Sequence, residues 1–153
     1  MLRAVAVIGS SSASPGQEEY EVAYQVGRFL AKRGFVVVCG GRGGVMEAVC
    51  KGAKQEGGLT VGILTTYTGE DANPYVDIRI NTGMSWNRNP IVVASGELVV
   101  AIGGHWGTLS EIAYALILNK KIVGYKTHPI EGVENTKSLD ELLERLELLL
   151  ANL

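Results

Sequence analysis

The chain has 153 residues, about the length of one domain, and its 14 basic and 16 acidic residues leave a formal net charge of −2. Hydrophobic residues make up 46% of it, so a buried core is expected, while the near-neutral charge argues against a strongly basic nucleic-acid surface. The 20 glycines come with only 4 prolines and no G-X-Y period, which excludes a collagen helix and a Pro/Gly-rich disordered segment.

The first half of the chain alternates short apolar runs with stretches of helical period. Two segments carry apolar or small residues at i, i+3, i+4 and i+7 spacing and end at glycines, which is typical of amphipathic helices with a C′ glycine. These predicted helices are residues 17–33 and 45–56. The continuously apolar runs between them indicate strands covered on both faces. The predicted strands are residues 4–8, 35–39 and 60–64.

The second half continues the alternation. An alternating run at 76–80 predicts a shorter strand, placed at an edge of the sheet, and the other predicted strands are 97–102 and 121–125. Predicted helices are 84–95, with Pro90 in the first turn, then 109–118, and a last helix that begins at a capping box at Ser138. The segment between the last strand and the last helix is predicted to be a loop.

Together these elements predict one α/β domain over residues 1–153, with a three-layer Rossmann-like fold, a mostly parallel sheet and helices on both faces. Ligands bind such sheets at the carboxyl ends of the strands, near the point where the strand order reverses. Glycine- or serine-rich turns follow three predicted strands, at residues 9–12, 40–44 and 103–107. All three turns are therefore expected at one edge of the sheet.

A glycine-rich turn that leads into a helix lets backbone N–H groups approach an anion, and phosphate is the usual guest. The known signatures do not match: there is no G-x-x-x-x-G-K-[ST], and counting G-x-G-x-x-G from Gly41 places Met46 at the last glycine. A single such glycine is more simply a tight turn or a helix stop. For three turns at one edge, we favour phosphate or nucleotide binding.

Two motifs resemble the Lonely Guy (LOG) family of cytokinin-activating nucleoside 5′-monophosphate phosphoribohydrolases. The family's GGxxGxM turn is similar to Gly40-Gly41-Arg42-Gly43-Gly44-Val45-Met46, and its P-G-G-x-G-T-x-x-E motif corresponds to Gly103-Gly104-His105-Trp106-Gly107-Thr108-Leu109-Ser110-Glu111. The family's arginine falls without gaps on Arg88. The resemblance covers roughly residues 5–125.

The resemblance implies cleavage of the N-glycosidic bond of a nucleoside 5′-monophosphate or related phosphoribosyl compound, with Arg88 orienting the substrate. Glu111 would stabilise the oxocarbenium ion or prime water. Neither a metal nor a cofactor is required, and the family implies a homodimer or higher homo-oligomer. The implied phosphate- and ligand-binding residues are Gly9, Ser10, Ser11, Gly40, Gly41, Arg42, Gly43, Gly44, Met46, Gly103, Gly104, His105, Trp106, Gly107 and Thr108.

The chain departs from the LOG pattern at three positions. Gly103 replaces the motif's proline, His105 replaces its second glycine, and Asn89 stands where a lysine usually follows the arginine. These departures favour an alternative: a non-catalytic carrier of a phosphate-bearing ligand, similar to the molybdenum-cofactor carrier branch of the superfamily. A nucleotide-sensing module is a further alternative, and the fold is also similar to the nucleotide-binding core of the DNA-processing protein DprA.

Structural interpretations compete with several of these assignments. Thr108 to Glu111 also reads as a T-x-x-E capping box, and an isolated arginine such as Arg88 is more often a solvated surface residue. Trp86 and Trp106 suit stacking on a flat heterocycle but also ordinary packing.

The cellular setting is predicted from what the sequence lacks. The two cysteines are too few for a disulfide framework and are most simply buried hydrophobes, and no Cys/His cluster has metal-ligand spacing. Neither a signal peptide nor a membrane-length apolar run is present, so we expect a cytoplasmic protein with a small phosphorylated ligand and neither membrane nor nucleic acid as a partner.

Overall fold

A seven-stranded sheet runs through the centre of the computed structural model, which describes residues 1–153. The strands are β1 (Ala4–Gly9), β2 (Val36–Cys39), β3 (Thr60–Leu64), β4 (Ile78–Asn81), β5 (Val99–Ile102), β6 (Ile122–Tyr125) and β7 (Val133–Thr136). Their spatial order is β4-β3-β2-β1-β5-β6-β7, and every neighbouring pair is parallel. The predicted parallel sheet is confirmed, with β4 at one edge.

Helices cover both faces of this sheet. They are α1 (Glu18–Lys32), α2 (Val45–Gln55), α3 (Asn89–Ala94), α4 (Trp106–Ile117) and α5 (Leu139–Ala151), with one turn of 3₁₀-helix at Ser85–Arg88. Because successive side chains of a strand point to opposite faces, Val5 and Val7 pack with α1, α2 and α5, while Ala6 and Ile8 pack with α3 and α4. The α/β three-layer Rossmann-like fold is confirmed.

The structure differs from the predicted elements in three places. β7 lies in the segment predicted to be a loop. It is at the sheet edge, two of its four residues, Glu134 and Asn135, are exposed, and it lacks the apolar pattern of a buried strand. The predicted helix at 84–95 consists of the 3₁₀ turn followed by α3, with Pro90 in the first turn of α3 as expected. α4 begins at Trp106 instead of residue 109, and Gly107 lies in its first turn.

The capping box before α5 forms as predicted. The backbone N–H of Glu141 donates to Ser138 Oγ at 3.1 Å, which satisfies one of the free donors at the helix start. No helix of the protein is both long enough and apolar enough to cross a membrane.

The sheet reverses its direction of growth at β1. From β1 the chain adds β2, β3 and β4 on one side, and then β5, β6 and β7 on the other. The gap between the loops that leave β1 and β5 is therefore the switch point where α/β sheets bind ligands.

Candidate functional site

A cavity of about 310 Å³ opens at the switch point, near the lower end of the range that ligand pockets occupy, roughly 300–1,000 Å³. Residues from the ends of β1, β2 and β5 and from the segment around the 3₁₀ turn surround it. The lining residues are Val7, Ile8, Gly9, Ser11, Gly40, Arg42, Gly43, Met46, Trp86, Arg88, Asn89, His105, Gly107, Thr108 and Glu111.

Most of the predicted site residues meet in this cavity. Those that line it are Gly9, Ser11, Gly40, Arg42, Gly43, Met46, Arg88, His105, Gly107, Thr108 and Glu111. Those outside the lining are Ser10, Gly41, Gly44, Gly103, Gly104 and Trp106. The second group includes residues that shape the turns, as the contacts of Ser10, Gly44 and Gly104 show.

The first two glycine turns are locked to each other. The N–H of Val45 donates to the Ser10 carbonyl oxygen at 2.8 Å, which ties the start of α2 to the turn after β1. Gly44 has a φ of +65°, and a Cβ on it would lie 2.2 Å from that same Ser10 oxygen. Both the backbone conformation and the close approach therefore require glycine at this position.

The third turn places the start of α4 at the cavity. The first helical hydrogen bond runs from Leu109 N–H to the His105 carbonyl at 2.9 Å, so the N–H groups of residues 106–108 have no partner within the helix. Gly104 has a φ of +103°, and a Cβ on it would lie 2.2 Å from Thr108 Oγ1. The turn thus packs tightly on Thr108 and leaves the positive end of the helix facing the cavity.

The interpretation of Thr108 to Glu111 as a capping box is wrong. The residue that precedes the first turn of α4 is His105, and its side chain makes no capping hydrogen bond. Thr108 already lies inside the helix, and Glu111 is on its second turn with its side chain directed into the protein. The T-x-x-E pattern therefore predicts a helix start at Thr108, whereas the helix begins at Trp106.

Arg88 is buried, with only 4% of its surface exposed, so the alternative of a solvated arginine is wrong. Its Nε donates to the Ile63 carbonyl at 2.8 Å and its Nη2 to the Gly40 carbonyl at 3.5 Å, while Nη1 donates to Asn89 Oδ1. Burial lowers the pKa of the guanidinium, but arginine stays charged in proteins.

The charge of Arg88 has no close partner in the protein. None of the ion pairs within 4.0 Å includes Arg88. Arg42, the other arginine of the lining, is half-exposed and pairs with Asp71 at 2.9 Å. The cavity therefore contains one buried, unpaired positive charge at its floor and a paired one at its rim, which suits an anionic ligand.

Glu111 faces the same cavity and is only 8% exposed. Burial raises the pKa of its carboxyl to about 8, against the opposing effect of the Arg88 charge. Its carboxyl forms no hydrogen bond within the protein, and neither oxygen is sealed from the cavity. At neutral pH the group is mostly protonated, so it does not compete with a bound anion for Arg88.

Asn89 connects the Arg88 segment to α4. Its Oδ1 accepts from Arg88, its Nδ2 donates to Ser110 Oγ at 3.0 Å, and that hydroxyl donates to the Gly107 carbonyl at 2.7 Å. Sequence reasoning noted Asn89 only as a departure from the LOG pattern and did not include it among the site residues.

Two lining residues, Val7 and Ile8, were missed entirely. Their position could have indicated them, because both lie toward the carboxyl end of the central strand β1, where such sheets bind ligands.

The family model described as the SLOG cluster4 family matches residues 2–148. An uncharacterised protein of Archaeoglobus fulgidus is 44% identical over 141 residues, which cover 92% of this chain and 91% of that protein. A cytokinin riboside 5′-monophosphate phosphoribohydrolase of Mycobacterium tuberculosis is 34% identical over 105 residues, which cover 66% of this chain and 56% of that protein.

Solved structures of two other proteins share nearly the whole fold. The molybdenum cofactor binding protein of the phototrophic bacterium Rippkaea orientalis has a TM-score of 0.88 and 32% identity, over 98% of each chain. The molybdenum cofactor carrier protein of Chlamydomonas reinhardtii has a TM-score of 0.87 and 29% identity, over 99% of each chain. DprA of Streptococcus pneumoniae shares only the fold, with a TM-score of 0.64 and 18% identity, over 96% of this chain and 56% of that one.

Proposed function

The chain belongs to the SLOG cluster4 family, and from this premise we propose that its cavity binds and carries a small phosphate-bearing ligand of the molybdenum cofactor type. One observation carries the proposal: the buried Arg88 has no carboxylate partner within 4.0 Å and lies in the same cavity as the free N–H groups at the start of α4. A phosphate would accept hydrogen bonds from both. The similarity to two molybdenum cofactor proteins over nearly the whole chain supports this ligand class.

The protonation state of Glu111 at neutral pH argues against the role that the LOG resemblance implies, which is stabilisation of an oxocarbenium ion. Stabilising an oxocarbenium ion requires an ionised carboxylate, whereas burial keeps this carboxyl mostly protonated below about pH 8. A phosphate bound beside it adds a negative charge that would raise the pKa of Glu111 further.

A second candidate function is the phosphoribohydrolase reaction, and the placement of Glu111 supports it. A protonated carboxyl that opens to the cavity is suited to general-acid catalysis. In that reaction the bond between the anomeric carbon and the base nitrogen breaks, the base takes a proton, and the hydroxyl of water ends on the anomeric carbon. The similarity to the mycobacterial phosphoribohydrolase supports the same reading.

Calorimetric titration combined with product analysis separates the two functions. The protein is titrated with a pterin phosphate, with AMP, and with AMP alkylated on its exocyclic amine, and each mixture is then analysed for free base by chromatography. Carriage predicts tight binding of the pterin phosphate and no free base from either nucleotide. Free base that disappears in Glu111→Ala overturns carriage in favour of the hydrolase.

Replacing Arg88 with methionine is expected to weaken phosphate-ligand binding about 100-fold, since a hydrogen bond to a charged group contributes up to roughly 3 kcal/mol. Arg88→Lys keeps the charge but loses the planar donor set, so a loss of about tenfold is expected. Arg3→Met, at an exposed arginine before β1, serves as the control and should bind like the parent. Affinities are measured by calorimetry on variants whose circular dichroism shows a folded chain. Unchanged affinity in Arg88→Met would show that this residue does not hold the anion.

We further propose a homodimer or higher homo-oligomer in the cytoplasm, without a resident metal or cofactor. The end of α4 supports an oligomer, because Tyr114 and Ile117 of this helix and Leu118 directly after it are exposed apolar residues. Native mass spectrometry should record at least a dimer at micromolar concentration and would also identify any ligand that co-purifies. A monomer under those conditions contradicts this part of the proposal.

A further inference from the structure

The short 3₁₀ turn before α3 presents two chemically different side chains to the cavity. Arg88 ends this turn and is buried, whereas Trp86, two residues earlier, is 64% exposed. Residues of a 3₁₀-helix are separated by about 120°, so positions two apart point in different directions. One turn thereby places a cation at the floor of the cavity and an aromatic ring at its mouth, and both line it.

Two hydrogen bonds, one from the main chain and one from the Arg88 side chain, hold this turn in place. Ser85, its first residue, has a φ of +55°, which side-chain-bearing residues rarely adopt, and its N–H donates to the Thr65 carbonyl at 3.0 Å. Arg88 closes the other end by donating to the Ile63 carbonyl. The position of the Trp86 backbone is thus fixed from both sides by the segment that ends β3.

The ring of Trp86 also stands over the start of α4. A Cβ on Gly107 would lie 3.9 Å from Trp86 Cζ3, which is ordinary van der Waals contact. Trp106, the other tryptophan, is 81% exposed and does not line the cavity. The sequence suggests both tryptophans as stacking candidates, but only Trp86 lines the cavity.

We propose that Trp86 selects ligands in which a planar heterocycle accompanies the phosphate, by stacking against the ring while Arg88 and the start of α4 hold the anion. This inference rests on the proposed binding of a phosphate-bearing ligand. An aromatic face stacks on any flat heterocycle, so Trp86 selects for the presence of a ring and not for one particular base or pterin.

The experiment compares ligands with and without a ring. Trp86→Ala is expected to lower the affinity for AMP and for a pterin phosphate at least tenfold, while the affinity for ribose 5-phosphate stays within about twofold of the parent. Trp86→Phe should restore most of the lost affinity, because phenylalanine retains an aromatic face. Tyr67→Ala, at an aromatic residue that is 81% exposed and outside the cavity lining, is the matched control and should bind all ligands like the parent.

Fluorescence gives a second readout. The chain has two tryptophans, so Trp106→Phe leaves Trp86 as the single tryptophan reporter. Its emission should be quenched by AMP and by the pterin phosphate, and should be insensitive to ribose 5-phosphate and inorganic phosphate. Equal effects of Trp86→Ala on both ligand classes, or none on either, overturn the inference. If the parent binds none of these probes, the proposed function fails, and the inference fails with it.

Discussion

Replacing Glu111 with glutamine is expected to raise the free energy of unfolding by about 3–5 kcal/mol at pH 8 and to leave it nearly unchanged at pH 4.5. The expectation follows from the buried carboxyl that opens to the cavity, whose pKa is raised from 4.5 to about 8. Glutamine has nearly the same shape as the protonated acid and never ionises. The substitution therefore removes a destabilisation of the parent. Above about pH 4.5, the parent can fold only if Glu111 takes up a proton or is buried as a charge.

The direction of the pH effect follows from proton binding. Between about pH 4.5 and pH 8 the folded chain holds a proton on Glu111 that the unfolded chain has released. The stability associated with this proton is fully present below the unfolded pKa, and it is lost as the pH rises through the folded pKa. The parent should therefore lose stability across that window, and the difference from Glu111→Gln should level off above pH 8.

Urea unfolding at half-unit steps from pH 4.5 to pH 9 measures this difference. Glu131→Gln, at an exposed glutamate in the loop before β7, is the control and should follow the parent at every pH. A constant offset between Glu111→Gln and the parent across the whole range would contradict a raised pKa for Glu111.

Replacing Gly44 with alanine is expected to destabilise the protein by about 3 kcal/mol or more. Alanine at this position would have to adopt a φ of +65° and place its Cβ 2.2 Å from the Ser10 oxygen. Relief of that contact requires separation of the two glycine turns and disrupts the bond from Val45 N–H to Ser10. Ligand affinity should fall together with stability, because both turns line the cavity.

The neighbouring Gly43 provides a matched control for this substitution. A Cβ on Gly43 would meet only the Ser11 oxygen, at 3.7 Å, so Gly43→Ala should unfold within about 1 kcal/mol of the parent. Chemical denaturation of both variants tests the contrast. Equal stability of the two variants would show that the turns can move apart without penalty.

The sequence predicts the location of the site better than the state of its side chains. A glycine turn after a buried strand is a local pattern, and parallel strands bring the turns after β1, β2 and β5 to one edge. The burial of Arg88, in contrast, depends on the carbonyls of Ile63 in β3 and Gly40 in the turn after β2, which are distant from Arg88 in the sequence. No local pattern around Arg88 indicates that these acceptors surround it.

The same limit explains Glu111. The T-x-x-E spacing predicts a cap from nearest neighbours, but the helix begins at Trp106 and directs Glu111 into the protein. The prediction of a loop at β7 is wrong for a related reason. β7 is a strand because it pairs with β6, as in Ile122 with Val133, and its own residues lack the local pattern of a buried strand. In both cases tertiary contacts override local propensity.

The pairing of β1 with β5 makes the cavity depend on contacts between distant parts of the chain. Ala6 stands beside Val99 across this pair, so the two walls come from parts of the chain separated by most of its length. The cavity is complete only when both ends of this long loop have met, and bringing them together costs loop-closure entropy. A ligand that binds here binds only the folded sheet and therefore stabilises it. Opening of the β1–β5 pair should then release the ligand.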